Sequence, residues 1–542
     1  MSSLPAASPT TSRDRLILIG LTLLAFALRA WGTTYGFPLP DARPDEDRWV
    51  RVGLGLLEDP DPRWFQWPTL HAYLLAVLYA IWGGIQLLRG QFPSFHAYMN
   101  EHQSVYLADL VFLGRLLSSV IGALVVPVTW KLAQKVSGRS SALWAALFIA
   151  VSFGPVRDGH WALIEPLLLT GIVVTLVATV VALERGTPAA FAIAGLLAGL
   201  TTSAKYSGIT LAAPIALAVL LVRRREGRSM VGTLWDKRSW LAGLTTLAGF
   251  FAGSPFILVS TRQFYEAMVV REWSYRDASF GTDPGFVHHL LFSLRYSHGL
   301  AMELAGLLGI AVFGFRTPAR AIVSVYGVAT YVALGPARIV PMRYGCSLAP
   351  ALILGAGWAI EWVAARRWGR SPLPAVLALA MAAEPLYRDI RFDRLLTRID
   401  TRATALEWFA ARVPPGTPVL TRDSKALRWA RPPLEDRYEL EALPEDDPQK
   451  AAARVAELAA KGGEAYVLLQ ETYTGYAPFA PELHDIVRRR GALVATFDPY
   501  APRAHPVYDP HDAFFVPVAG FGGVRQPGPR LTVYRLITPP GS

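Results

Sequence analysis

Asp45 and Glu46 stand side by side in Arg43-Pro44-Asp45-Glu46-Asp47-Arg48-Trp49, a few residues after the first apolar block. Carboxylates beside a membrane-spanning segment are costly unless solvated, paired or functional. A carboxylate placed there can take the proton of a hydroxyl during nucleophilic attack. Other charged and polar residues fall at the ends of later apolar blocks: Arg157, Asp158, His160 and Glu165, then Lys205, then Arg338 and Arg343. Fixed cations stabilise a departing phosphate, and a phosphate monoester already carries about −1.5 to −2 charges near neutral pH. A base and a phosphate clamp together suit glycosyl transfer from a sugar phosphate carried on a membrane lipid. The sequence shows no Gly-rich phosphate loop and no dinucleotide fingerprint, which fits a donor dissolved in the bilayer.

The elements that must hold these residues are apolar. The chain has 542 residues, of which 52% are hydrophobic, and they fall in blocks. The blocks run at 16–35, 69–88, 108–130, 140–155, 163–183, 189–203, 207–222, 240–258, 290–315, 319–335, 344–363 and 372–386. A span needs about 20 apolar residues, so the chain reads as a polytopic α-helical membrane protein. Its net charge of +11 comes from Arg and Lys clustered between blocks. That pattern is explained by topology, with basic loops kept inside, and argues against a nucleic-acid partner. The one cysteine, Cys346, excludes an internal disulfide and a multi-cysteine metal site.

The basic residues orient the chain. Arg13 and Arg15, Lys131 to Arg139, Arg185, Arg223 to Arg238, Arg316 with Arg320, and Arg366 to Arg370 can share the cytoplasmic side only if 69–88 does not cross once by itself. We therefore expect about eleven spans, with the N-terminus inside and 69–88 a juxtamembrane or re-entrant helix in a long external loop at 36–107. Asp45–Glu46, Arg157–Pro166, Thr202–Gly208, Pro255–His289 and Gly335–Tyr344 then share the external face. The expected location is the cell inner (plasma) membrane.

After about residue 387 charged residues and prolines become frequent. Thr401–Arg412 reads as an amphipathic helix, and Pro418–Thr421, Ala465–Gln470, Ala492–Phe497 and Leu531–Leu536 read as strands. The expected organisation is a transmembrane domain over 1–389 and an external soluble α/β domain over 390–542.

With these residues in view, the chain resembles the GT-C glycosyltransferases, in particular the family 39-type bacterial members related to protein O-mannosyltransferases and aminoarabinose transferases. The resemblance rests on Pro44-Asp45-Glu46, on Arg157-Asp158-Gly159-His160-Trp161 with Ile164-Glu165-Pro166, and on Ser203-Ala204-Lys205-Tyr206-Ser207-Gly208. It continues through Ser254-Pro255-Phe256, Gln263-Phe264, and Arg343-Tyr344 followed by Pro350, and covers roughly residues 15–390. It implies an inverting transferase that moves a sugar from a polyprenyl-phosphate donor to a hydroxyl of a lipid, glycan or protein on the non-cytoplasmic face. It implies Asp45 as base and Glu46 as its organiser. Donor-phosphate or substrate contacts are expected from Lys205, Arg343, His160, Glu165, Asp158 and Tyr344. Many relatives carry Asp where Glu165 stands. Adjacent Asp45 and Glu46 are compatible with a divalent cation and with metal-free action, so no metal ligand is assigned.

Each residue also has a plain structural alternative. Asp47 can pair with Arg43 or Arg51, Asp158 with Arg157, and Glu303 with Arg295. His160 can pack on Trp161, Glu165 can cap a helix beside Pro166, Lys205 can snorkel to the interface, and Arg343 can anchor there. Trp49, Trp64, Trp67 and Trp161 read as an interfacial belt, and nothing fixes His288, His289 and His298 on one face as a metal set. The competing function is a transporter or flippase of a polar or sugar-carrying lipid, which predicts structural repeats and broken helices at the midplane.

Overall fold

The computed structural model describes residues 11–39, 42–104, 107–271, 283–366, 371–422, 428–461, 463–472, 479–512 and 515–537. Part of the external segment expected over Pro255–His289 lies outside the described residues. The chain divides into two compact units, one of residues 1–33 with 45–390, the other of 34–44 with 391–542. Residues 34–44, expected in the external loop of the first domain, group with the C-terminal residues.

The first unit is helical. Its opening helices are α1 (Ser12–Ala30), α2 (Glu46–Gly55), α3 (Leu70–Leu88), α4 (Phe95–Ser104), α5 (Ala108–Val136), α6 (Arg139–Val151), α7 (Phe153–Asp158), α8 (Glu165–Arg185), α9 (Pro188–Ala204), α10 (Ala212–Arg225) and α11 (Lys237–Gly253). Leu300–Phe313, Pro318–Leu334 and Ala349–Ala364 follow. Local signals explain the boundaries. Gly186 ends α8 in the left-handed conformation, the Thr187 hydroxyl accepts from Ala190 N at 3.4 Å, and Pro188 sits in the first turn of α9.

Among the described residues five helices are long and apolar enough to span a membrane, or up to six if each bent pair counts as one span. This is fewer than expected, because helices such as Arg139–Val151, Pro188–Ala204 and Pro318–Leu334 are short for the purpose. By length and hydropathy α3 also qualifies as a span, a property that the charge arithmetic alone withholds from it. The block expected at 290–315 is not one rod. It breaks at Gly299, φ +80°, between Gly285–His298 and Leu300–Phe313, which are bent by 119°. A Cβ at Gly299 would lie 2.7 Å from Glu384 Oε2, so both the backbone conformation and the space call for glycine.

Two helices need close packing to position the site. A Cβ at Gly199 of α9 would lie 2.0 Å from Thr246 O, and one at Gly249 of α11 would lie 2.3 Å from Leu196 O. Small residues thus let the α9 and α11 backbones touch, the usual device where apolar burial cannot drive helix association in lipid. The contact continues at their C-terminal ends, where Ser203 and Ser254 share a 2.6 Å hydrogen bond and Ser254 Oγ accepts from Thr69 N at 3.0 Å. The end of α9, the end of α11 and the start of α3 are therefore tied together beside Lys205.

The second unit carries a five-stranded sheet in the order β2-β1-β3-β5-β4, with β1 Pro418–Thr421, β2 Glu439–Ala442, β3 Tyr466–Glu471, β4 Gly491–Phe497 and β5 Arg530–Leu536. β1 runs parallel to β2 and β3, and β5 antiparallel to β3 and β4. Four strands and the helix Thr401–Arg412 lie where the sequence predicts them. β2 was not predicted. Its four residues, Glu-Leu-Glu-Ala, are exposed or half-buried and lack β-branched residues. Asp400 caps Thr401–Arg412 through Arg402 N at 2.9 Å and also binds the Arg402 guanidinium, so one buried carboxylate starts the helix and fixes its first cation.

Candidate active site

The site begins where α2 begins. Asp45 occupies the N-cap position with φ 74° and makes no side-chain cap bond. Aspartate is among the best N-caps, yet here a left-handed backbone costing about 1–3 kcal/mol aims the carboxylate away from its own helix. It meets Arg343 instead, Oδ2 to NH2 at 3.1 Å. The Asp45 side chain keeps 30% of its surface exposed, so a proton acceptor remains open to a ligand.

Glu46 points the other way. It is fully buried and gripped fork to fork by Arg115 of α5, with Nε to Oε1 at 2.9 Å and NH2 to Oε2 at 2.6 Å. Ala162 N adds a third hydrogen bond to Oε1 at 2.8 Å, and Arg115 NH1 donates to Thr33 O at 2.7 Å. Glu46 thereby fastens α2 to α5 and to the loop that leads into Glu165. Arg115 escaped the sequence reading because it lies in the second turn of a long apolar helix. A charge in such a place was the available signal.

Glu165 opens α8 with Pro166 behind it, and the helix N-terminus favours its carboxylate. Its side chain is buried and accepts from Lys205 Nζ at 3.1 Å, with Arg343 Nε at 3.8 Å. Lys205 leaves the end of α9 in extended conformation, and its ammonium lies 4.1 Å from the centre of the Tyr344 ring. Asp45, Glu165, Lys205, Arg343 and Tyr344 line one narrow cleft with Trp49, Trp67, Leu163 and Ile164. Two carboxylates and two cations thus meet in one place, drawn from four separate stretches of sequence.

The aromatic wall corrects one expectation. Trp49 is 2% exposed and packs with Trp64 and Trp67, centroids 5.2 and 5.9 Å away, while Trp161 is also buried, 5.5 Å below the Arg115 guanidinium. Trp49 and Trp161 are internal, held by ring stacking and by a buried cation, whereas Trp64 and Trp67 are half-buried.

Asp158 and His160, expected as substrate contacts, do not line the cleft. Asp158 is buried, pairs with Arg157 and accepts from Cys346 Sγ at 3.0 Å. His160 is buried with Nδ1 at 2.9 Å from Val156 O and Nε2 at 3.1 Å from Trp31 O, tying the end of α1 to α7. Arg295 pairs with Glu384 at 2.7 Å rather than with Glu303, and Arg43 pairs with Asp512 at 2.9 Å. Among the described residues no three His, Cys, Asp or Glu side chains converge as metal ligands.

Residues 105–253 match the model of the dolichyl-phosphate-mannose-protein mannosyltransferase family. By sequence, no curated protein matches. The fold is similar to ArnT from Cupriavidus metallidurans bound to undecaprenyl phosphate, with TM-score 0.53 and 14% identity over 97% of this chain and 98% of that one. It is also similar to the Archaeoglobus fulgidus oligosaccharyltransferase in the apo form, with TM-score 0.52 and 14% identity over 88% of this chain and 73% of that one. The archaeal AglB in complex with an inhibitory peptide and a dolichol-phosphate gives TM-score 0.51 at 13% identity over 90% and 73%. The family match is confined to residues 105–253, and the likeness to the solved structures shows a shared fold.

Proposed function

We propose that the protein transfers a sugar from a polyprenyl-phosphate donor to a hydroxyl acceptor on the non-cytoplasmic face of the membrane, with inversion at the anomeric carbon. The observation that carries this reading is the Asp45 carboxylate, turned by a left-handed backbone into a cleft that also holds Lys205 and Arg343. Support for the donor class comes from the undecaprenyl phosphate and dolichol-phosphate named for the similar structures.

The donor phosphate lies against Lys205 and Arg343. The acceptor oxygen attacks the anomeric carbon while the bond from that carbon to the phosphate oxygen breaks. Asp45 takes the acceptor's proton, and the polyprenyl phosphate leaves with the bonding electron pair, its charge met by the two cations. Glu46 acts through Arg115 and Ala162 by holding α2 in place. Trp67, half-buried beside Trp49, offers flat apolar surface to the C–H face of the sugar. Residues 390–542 form an external α/β domain.

Transfer of labelled sugar from a polyprenyl-phosphate donor by the purified Asp45→Asn protein tests the assignment. A drop of at least about a hundredfold in kcat is expected, and near-normal turnover removes Asp45 as base. The helix pair bent at Gly299 is a feature that a lipid transporter would also use. Movement of intact sugar lipid across vesicles without sugar turnover would favour that reading.

A further inference from the structure

Resting on the reading of the cleft as a lipid-phosphate donor site, we propose that Arg343 is shared: it pairs with Asp45 until the donor phosphate claims the same guanidinium, and this exchange releases Asp45 to act as base only when donor is bound. Arg343 is the charged partner of Asp45 among the described residues, at 3.1 Å. The contact uses NH2, a guanidinium nitrogen that can donate equally well to a phosphate oxygen.

Glu165 makes the exchange possible. It lies 3.8 Å from Arg343 Nε, a different nitrogen from the one that meets Asp45, and is itself held by Lys205 at 3.1 Å. A buried, pinned anion keeps the guanidinium in the cleft whichever outward partner it has. Asp45 has no such anchor, since it makes no cap bond to α2 and is the more exposed of the two carboxylates. The other walls facing the pair include Trp49, Trp67 and Tyr344.

Charge balance requires a competition. Asp45 and Glu165 already match Lys205 and Arg343 one for one. A phosphodiester-linked donor adds one negative charge, and its phosphate-monoester product about −1.5 to −2, so the cations cannot keep both carboxylates and satisfy the phosphate. The pair with the more exposed carboxylate, Asp45, gives way. Donor therefore binds before the acceptor hydroxyl can be activated, and the product phosphate holds Arg343 until it departs.

The test is a double-mutant cycle on full-length protein in lipid nanodiscs, measuring the Kd of a sugar-free C15 polyprenyl phosphate. Asp45→Asn is expected to tighten binding about fivefold when Arg343 is present. In the Arg343→Gln background the same change is expected to move Kd less than about twofold. Equal tightening in both backgrounds would mean simple repulsion between Asp45 and phosphate, and no tightening in either would mean no competition. Both results overturn sharing. Turnover of sugar-loaded donor by Asp45→Asn reports separately on the base, so the two readings fail independently. Melting curves check folding, and Asp45→Ser with Arg343→Met closes the same cycle if the first pair unfolds.

Discussion

Glu46 and Arg115 form a buried, two-armed ion pair, at 2.9 and 2.6 Å, between the first residue of the short α2 and the second turn of the long α5. A bidentate guanidinium–carboxylate pair fixes direction as well as distance. Here it sets where α2 begins, and therefore where Asp45 stands. Adjacent acids in one motif thus have separate duties, one facing the cleft and one facing the protein.

Breaking one side of that pair leaves a buried charge unmatched. Glu46→Gln and Arg115→Met are each expected to lower stability by about 3 kcal/mol. The double variant should recover part of the loss, because neither charge is then stranded. Unfolding midpoints of the four proteins in one detergent check this, and simple additivity would argue against direct pairing.

Lys205 answers to Glu165 and Tyr344 and is proposed to answer to the donor. Lys205→Gln should raise donor KM about tenfold with a much smaller effect on kcat, since Arg343 still faces the leaving oxygen. Steady-state kinetics at varied donor concentration separate the two constants. A pure kcat loss would assign Lys205 to the chemical step instead.

Trp67 is half-buried and lines the cleft beside Trp49. If it carries the sugar ring, Trp67→Ala should raise donor KM about fivefold while Trp67→Phe stays near the parent. Unchanged binding of the sugar-free polyprenyl phosphate by both variants would show that the effect belongs to the sugar. Equal weakening of both ligands would show that Trp67 merely shapes the cleft.

His102 in α4 predicts a pH dependence. Its Nε2 lies 3.0 Å from the Asp109 carboxylate and its Nδ1 2.9 Å from Tyr98 O. Burial opposes the charged ring, but the Asp109 hydrogen bond, the Tyr98 carbonyl and the Asp109 charge outweigh it and hold the group above its ordinary value. The stabilisation is therefore complete below the ordinary histidine range and is lost as pH rises through the raised value. Hydrogen exchange over 95–102 should quicken from pH 6 to pH 8.5, and His102→Gln should remove most of that dependence.

Much of this protein is legible in its sequence. Apolar blocks predicted the long helices of the first unit but not the short α2, α4 and α7, because in lipid each backbone group must be satisfied within its own segment and local composition decides the outcome. Asp400 before Thr401–Arg412 marked a helix start in the same local way. Asp45, Glu165, Lys205 and Arg343 were readable as candidates because each charge sits at the end of an apolar run. What needed the tertiary structure was partnership. Arg115 is 69 residues from Glu46, Cys346 is 188 from Asp158, and Arg343 is 298 from Asp45. No local periodicity encodes such pairs. They arise when packed helices such as α9 and α11 bring separate termini together, and that packing alone separates Asp45 and Glu165, which share the cleft, from Asp158 and His160, which hold the scaffold.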